Sequence, residues 1–265
     1  MKLAFWSNVH GKSGVTSNLA CVSVMSVLLN RRKSILLENH ININNLERML
    51  NESMFHEVVR EYDLYYRIGI EQLIRQIHSG YGLNNAVKSS SLSLMNNSIY
   101  YLPQNNQINQ EIFDYELNTV IYSLFQLLEL EGEDIYIDTA VNGNLSSKII
   151  LEEADLVVVN LTQNPYILED FFDNYNSIAK KAVYLIGNYN PESKYNSKYI
   201  LHKYRIEREK IAVIPYNVHF QDAMTDGRVI GFINQTYKCN KKCEDYYFMR
   251  EVKNAVKMIE RFREE

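Results

Sequence analysis

The sequence predicts a doubly wound α/β fold, a mostly parallel sheet with helices on both faces. Two patterns predict it. Short apolar runs without in/out alternation recur along the chain, the mark of strands buried on both sides. Amphipathic stretches alternate with these runs, and that alternation builds βαβ units. At 265 residues the chain can bury one sizeable core, so a single domain over residues 1–265 is expected.

The first element is the apolar strand 3–7, Leu3-Ala4-Phe5-Trp6-Ser7. It runs into a loop, His10-Gly11-Lys12-Ser13-Gly14-Val15-Thr16-Ser17, then a helix over 17–30 and a second strand over 34–38. A short helix is expected at 44–50. The segment 51–97 is longer than one crossover needs and reads as a helical elaboration over one side of the sheet, including a helix at 69–78. Its Ser/Asn-rich end, 88–97, reads as a surface connection. Further strands are expected at 98–102, 135–139, 156–162, 182–188 and 210–214, and helices at 113–130, 145–153, 166–178, 193–204 and 228–237.

The C-terminal segment, 244–265, reads as a helix with its core at 246–263. Phe248, Val252, Val256, Ile259 and Phe262 form one stripe, with Arg250, Lys253, Lys257 and Arg261 elsewhere. Packing on the sheet and peripheral contact with a membrane both give such a stripe. Pro103, Pro165, Pro191 and Pro215 stand at or just past strand C-termini, the edge where open parallel sheets bind ligands; simple strand termination also places them there.

Charge and composition narrow the classes. The balance of 28 Lys+Arg against 32 Asp+Glu gives no general pull toward nucleic acid or anionic lipid. The short basic runs Arg31-Arg32-Lys33 and Lys238/Lys241/Lys242 read as solvated surface before they read as a nucleic-acid patch. No apolar run approaches the roughly 18 residues of a membrane span. The chain opens on a strand rather than a leader-like segment, so a cytoplasmic location is expected. Three cysteines cannot all pair, and Cys21 reads as a small core residue. Cys239-x-x-x-Cys243 lacks the further ligands of a zinc site and reads as a surface connection.

Strand, glycine-containing loop, helix, strand is the layout of a phosphate-binding loop. Backbone N–H groups at a helix N-terminus hold an anion without help from side chains. Gly11 and Gly14 let the loop curl, and Thr16 and Ser17 can reach a magnesium ion or cap the helix. The strict pattern ends in Gly-Lys-Ser/Thr, whereas here it reads Gly14-Val15-Thr16, and valine cannot neutralise a phosphate. Lys12 is the alternative cation. A relic turn that binds nothing is the competing interpretation. Asp138 is either a magnesium ligand or a turn cap. His10 and His40 can share one sheet edge, but without a third ligand they read as exposed loop residues.

The loop resembles the deviant Walker A loop of the MinD/ParA ATPases, Lys-Gly-Gly-x-Gly-Lys-Thr-Thr/Ser. On that pattern His10 stands at the signature lysine, Lys12 at the second glycine and Val15 at the phosphate lysine, while Gly11, Gly14 and the magnesium-binding Thr16 are kept. The resemblance runs on through the chain. Leu37-Glu38-Asn39-His40 stands at the family's hydrophobic-Asp-x-Asp segment, with His40 in place of the water-orienting aspartate. Ile137-Asp138-Thr139-Ala140 matches the Walker B end, Leu185-Ile186-Gly187-Asn188 the base-contacting asparagine, and Ile214-Pro215 the adenine pocket. Ala154-Asp155-Leu156 and Ala223-Met-Thr-Asp-Gly227 match two further family patterns.

The resemblance implies a P-loop NTPase domain that takes ATP with Mg2+. The ligand residues would be Gly11, Lys12, Ser13, Gly14, Val15, Thr16, Ser17, Asn188 and Pro215, with Thr16 and Asp138 at the metal. Catalytic candidates are Lys12, Glu38 and His40. With both lysines and the water-orienting aspartate replaced, hydrolysis is expected to be weak or lost. Irregular Walker loops are a habit of the TadZ/CpaE branch, which positions pilus-assembly machinery. The expected function is therefore a degenerate, homodimeric scaffold acting through a protein partner. The alternatives are a slow ATPase switch using Lys12 and a DNA-bound partition-type protein.

Overall fold

The computed structural model describes residues 1–42, 45–52, 68–104, 109–132, 134–141 and 143–264. The residues at 43–44 and 53–67, which carry parts of the expected short helix and of the 51–97 elaboration, lie outside the described residues.

The strands are β1 (Lys2–Trp6), β2 (Ser34–Glu38), β3 (Leu92–Leu94), β4 (Ile99–Tyr101), β5 (Asp134–Asp138), β6 (Leu156–Leu161), β7 (Ala182–Tyr189) and β8 (Ile211–Pro215). They form one eight-stranded sheet in the order β3-β4-β2-β5-β1-β6-β7-β8. Every pairing is parallel except β3 with β4. β2, β5 and β6 are buried throughout, as their unbroken apolar runs require. The chain winds outward from β1 through β2 and β4, returns to β5, and then crosses β1 to reach β6, β7 and β8. That reversal puts a crevice at the carboxyl ends of the central strands.

Helices cover both faces. α1 (Val15–Asn30), α2 (Leu46–Leu50), α10 (Val218–Thr225), α11 (Val229–Thr236) and α12 (Tyr246–Glu264) pack on the face that carries Leu3, Phe5, Leu36 and Tyr136. α3 (Ile70–Ser79), α4 (Ala86–Ser89), α5 (Gln110–Glu131), α6 (Leu145–Glu153), α7 (Pro165–Asn174), α8 (Asn176–Ala179) and α9 (Ser197–Tyr204) pack on the face of Ala4, Trp6, Ile35 and Ile137. α1 is almost wholly enclosed: Asn18 to Val27 are all buried, which is why the sequence shows no polar stripe there.

Several expectations need correction. The stretch 88–97 is not only a surface connection: it contains β3, turned back onto β4 through left-handed Met95, Asn96 and Asn97. The helix expected at 166–178 is broken at Tyr175 into α7 and α8. The helix expected from 193 starts at Ser197, where Asn196 caps it. α10 was not anticipated as a helix. The apolar stripe of α12 is packed inside: Phe248, Val252, Val256 and Ile259 are buried, and Phe262 lies partly buried against them. Among the described residues no helix is long and apolar enough to cross a membrane.

Candidate functional site

The loop leaving β1 is held by two left-handed glycines and buried polar anchors. Gly11 and Gly14 have φ of 70° and 69°, a region glycine enters without steric cost. Gly14 is the N-cap of α1, and no side chain bonds the first-turn amides. The N–H groups of Val15, Thr16 and Ser17 therefore have no acceptor within the helix, and the helix dipole adds positive potential there. Asn18, 2% exposed, donates from Nδ2 to the Ser13 carbonyl at 3.2 Å and to Asn160 Oδ1 at 2.8 Å. Asn8 donates to the Ile167 carbonyl at 3.0 Å and to Asp170 Oδ2 at 2.7 Å, tying the loop to α7. The loop is thus rigidly seated on the sheet rather than folded away from it.

In front of the loop is a cleft of about 690 Å3. Val9, His10, Gly11 and Gly14 to Ser17 form one wall, His40 to Asn42 a second, and Asp138 to Val141 a third. No lysine or arginine is among its described lining residues. Val15, at the expected phosphate-lysine position, is half-buried and packs on the core beneath α1. Lys12 is exposed and outside the lining. Ser13 is buried, with its hydroxyl away from any partner. Asn188, left-handed and exposed, and Pro215, buried beside Tyr189, end β7 and β8 outside this cleft.

The far wall is a polar cluster built by two adjacent strand ends. Glu38 and Asp138 are register partners across β2 and β5. Their side chains share the α1 face with Leu36 and Tyr136, because side chains alternate along a strand. Glu38 Oε1 accepts from the Leu46 N–H at 3.0 Å and Oε2 from the Tyr101 hydroxyl at 2.6 Å. His40 Nε2 stands 3.2 Å from Asp138 Oδ1, and Nδ1 stands 3.0 Å from the Asn42 amide nitrogen. Asp138 Oδ2 is buried with no hydrogen-bond partner. Burial pushes the Glu38 carboxyl up to about 7, against the pull of the His40 charge. Burial disfavours the His40 cation, but the neighbouring Asp138 charge and hydrogen bond reverse this and hold it up at about 9.

His40 is therefore not an exposed loop residue: it is 8% exposed, while His10 is exposed, and both line the cleft. Sequence reasoning missed the frame behind them. Asn39 is fully buried, donates to Ser146 Oγ at 3.0 Å and Ser147 Oγ at 2.9 Å, and accepts from the Ala140 N–H at 2.6 Å. Gln110 donates to the Asn39 carbonyl at 3.2 Å and accepts from the Ile41 N–H at 2.7 Å. Only the polar pair Asn39-His40 directly after β2 hinted at such a frame. The cluster can hold a cation, since it gathers two carboxylates and an imidazole around one free carboxylate oxygen.

The sequence matches no family model and no curated protein. Solved structures do match. MinD of Pyrococcus horikoshii OT3, complexed with Mg-ADP, superposes with a TM-score of 0.70 at 13% identity over 98% of this chain and 96% of that one. The fold is that of the ParA and MinD ATPases. A ParA family ATPase from Chlorobium tepidum TLS matches with a TM-score of 0.69 at 10% identity over 96% of each chain. The MinC:MinD cell division complex of Aquifex aeolicus matches with 0.67 at 13% identity over 97% of this chain and 95% of that one. In this ParA/MinD fold the cleft lies where β1 hands over to α1, between the ends of β1, β2 and β5.

Proposed function

We propose that the chain is a degenerate ParA/MinD-type nucleotide-binding protein that holds an adenine nucleotide with Mg2+ weakly, hydrolyses it poorly and acts through protein contacts. One observation carries this: a seated anion loop opens on a cleft lined by no described lysine or arginine. The amides of Val15, Thr16 and Ser17 would hold a phosphate group. Thr16 and the free Oδ2 of Asp138 fit a magnesium ion, which would supply charge neutralisation at the phosphates. A phosphoryl transition state needs fixed positive charge, and losing one such donor costs about 10²–10³ in rate. His40 is held by Asp138, so it is not positioned to orient water as a free carboxylate would.

The fold supports the rest of the proposal at a distance. MinD of Pyrococcus horikoshii carries Mg-ADP, and MinD of Aquifex aeolicus forms a complex with MinC. By analogy the chain would dimerise across the loop edge and position a protein assembly of pilus or secretion type. Thermal melting with Mg-ATP, Mg-ADP and Mg-GTP tests the binding step. A ligand at about 10 times its dissociation constant stabilises by about 1.4 kcal/mol, a rise of about 3–6 °C for a chain this size. No rise with any of the three overturns the proposal.

A further inference from the structure

We propose that Cys239 and Cys243 are a reversible thiol–disulfide pair, a redox modification site on the connection between α11 and α12 that takes an anionic small-molecule disulfide as its oxidant. Cys21, Cys239 and Cys243 are all free thiols. Cys21 is enclosed in α1, whereas Cys239 and Cys243 are both partly exposed.

The local backbone turns these two thiols toward each other. The Cys239 N–H donates to the Thr236 carbonyl at 2.8 Å, closing the end of α11, and the Cys243 N–H donates to the Asn240 carbonyl at 2.9 Å. Asn240 tightens that turn, because its Oδ1 accepts from the Lys242 N–H at 3.0 Å. The Cys239 thiol meets the Cys243 thiol as a hydrogen-bond partner. Cysteines whose side chains point apart cannot be bridged without moving the backbone, and these two point together.

The surroundings suit exchange with an anion. Toward the protein, Cys243 Sγ stands 4.0 Å from Asp245 Oδ2. Asp245 is buried, and its Oδ1 accepts from Asn217 Nδ2 at 2.8 Å and faces His219 Nδ1 at 2.9 Å. Toward solvent stand Lys238, Lys241 and Lys242, all exposed, against one exposed acid, Glu244. A local excess of positive charge concentrates anionic reactants such as glutathione disulfide. Desolvation, followed by contact with Cys243, holds the Cys239 thiol above its usual range, so the resting pair is a slow-exchanging dithiol.

One cysteine, as thiolate, attacks a sulfur of the small disulfide; a mixed disulfide forms and one small thiolate leaves. The second cysteine attacks the protein sulfur of that mixed disulfide, forming the Cys239–Cys243 bond and releasing the second thiolate. Two electrons pass to the small disulfide, and the two cysteine protons end on the two released thiols. The bond ties the end of α11 to the start of α12. None of these residues lines the cleft, so the pair is independent of the nucleotide proposal, and its test contains no nucleotide.

The full chain is equilibrated in glutathione buffers of graded oxidised-to-reduced ratio, quenched by alkylation and mapped by peptide mass spectrometry. The expected product is an internal Cys239–Cys243 bond, reversed by excess reduced glutathione, with Cys21 still a free thiol. Its equilibrium constant should be at least about tenfold larger in the folded chain than in the same chain in concentrated guanidinium, because folding holds the thiols together. Cys243→Ser should stop at a glutathione adduct on Cys239. A smaller gain on folding, or glutathione adducts that persist without the internal bond, overturns the proposal; both results use the unmutated chain and do not depend on a variant folding.

Discussion

The Ser13 carbonyl rests directly on Gly187 of β7: a Cβ at Gly187 would stand 2.3 Å from the Ser13 oxygen and 2.7 Å from Asn18 Nδ2. The loop can lie down on the sheet only because that position has no side chain. Gly187→Ala must push the Ser13 backbone away, since the obstructing atom is not the end of a flexible side chain. Overpacking of this kind costs about 2 kcal/mol, read as a lower urea midpoint. The Mg-ATP melting shift should vanish with it. An alanine variant with full stability and an unchanged shift would show that the loop does not depend on this contact.

Val15, where the sequence pattern leads one to expect the phosphate lysine, is half-buried and lines the cleft. Val15→Lys should bring a charge to the cradle without disturbing Gly11, Gly14 or Asn18. A charge-assisted hydrogen bond contributes about 1.5–3 kcal/mol, so ATP affinity should rise by about 10- to 100-fold. Fluorescent-nucleotide titration checks this, and an unchanged affinity would mean that the cradle does not face the phosphates.

Lys12 is exposed and outside the cleft lining. Lys12→Ala should leave nucleotide binding within about twofold of the wild type, the small effect of a screened surface charge. Loss of binding in this variant would instead favour the slow-switch alternative, in which Lys12 replaces the missing lysine.

Arg263, near the end of α12, pairs through Nη2 with Asp134, which is fully buried at the start of β5. Asp134 also faces the N-terminal amine of Met1 at 4.0 Å. Arg263→Met removes the side-chain cation from a buried carboxylate and should cost about 3 kcal/mol in urea unfolding. It should leave the Mg-ATP shift intact, because Asp134 lies at the opposite end of β5 from Asp138.

Much of this was legible in the sequence. The apolar runs of β1, β5 and β6 and the glycines at 11 and 14 announce a parallel sheet and its loop, because strands buried on both faces cannot alternate and glycine enters the left-handed region at no steric cost. β3 was missed because three residues, Leu92-Ser93-Leu94, are too few to show a period, and its turn is made by Met95-Asn96-Asn97 without glycine. α10 was missed because residues 218–225 are short and only Phe220 and Ala223 are buried. The position of Asp138 was legible from Ile137-Asp138-Thr139-Ala140, but its contact with His40 was not. That contact needs the register of β2 against β5, which a single sequence does not contain.

The most direct test of an intact cradle with a stripped catalytic edge is phosphate release measured in the same Mg-ATP samples that are melted. The account predicts a raised melting temperature, diminished in Asp138→Asn, together with phosphate release at or barely above the level of a protein-free control. Sustained magnesium-dependent release by the wild type, abolished in Asp138→Asn, would contradict it.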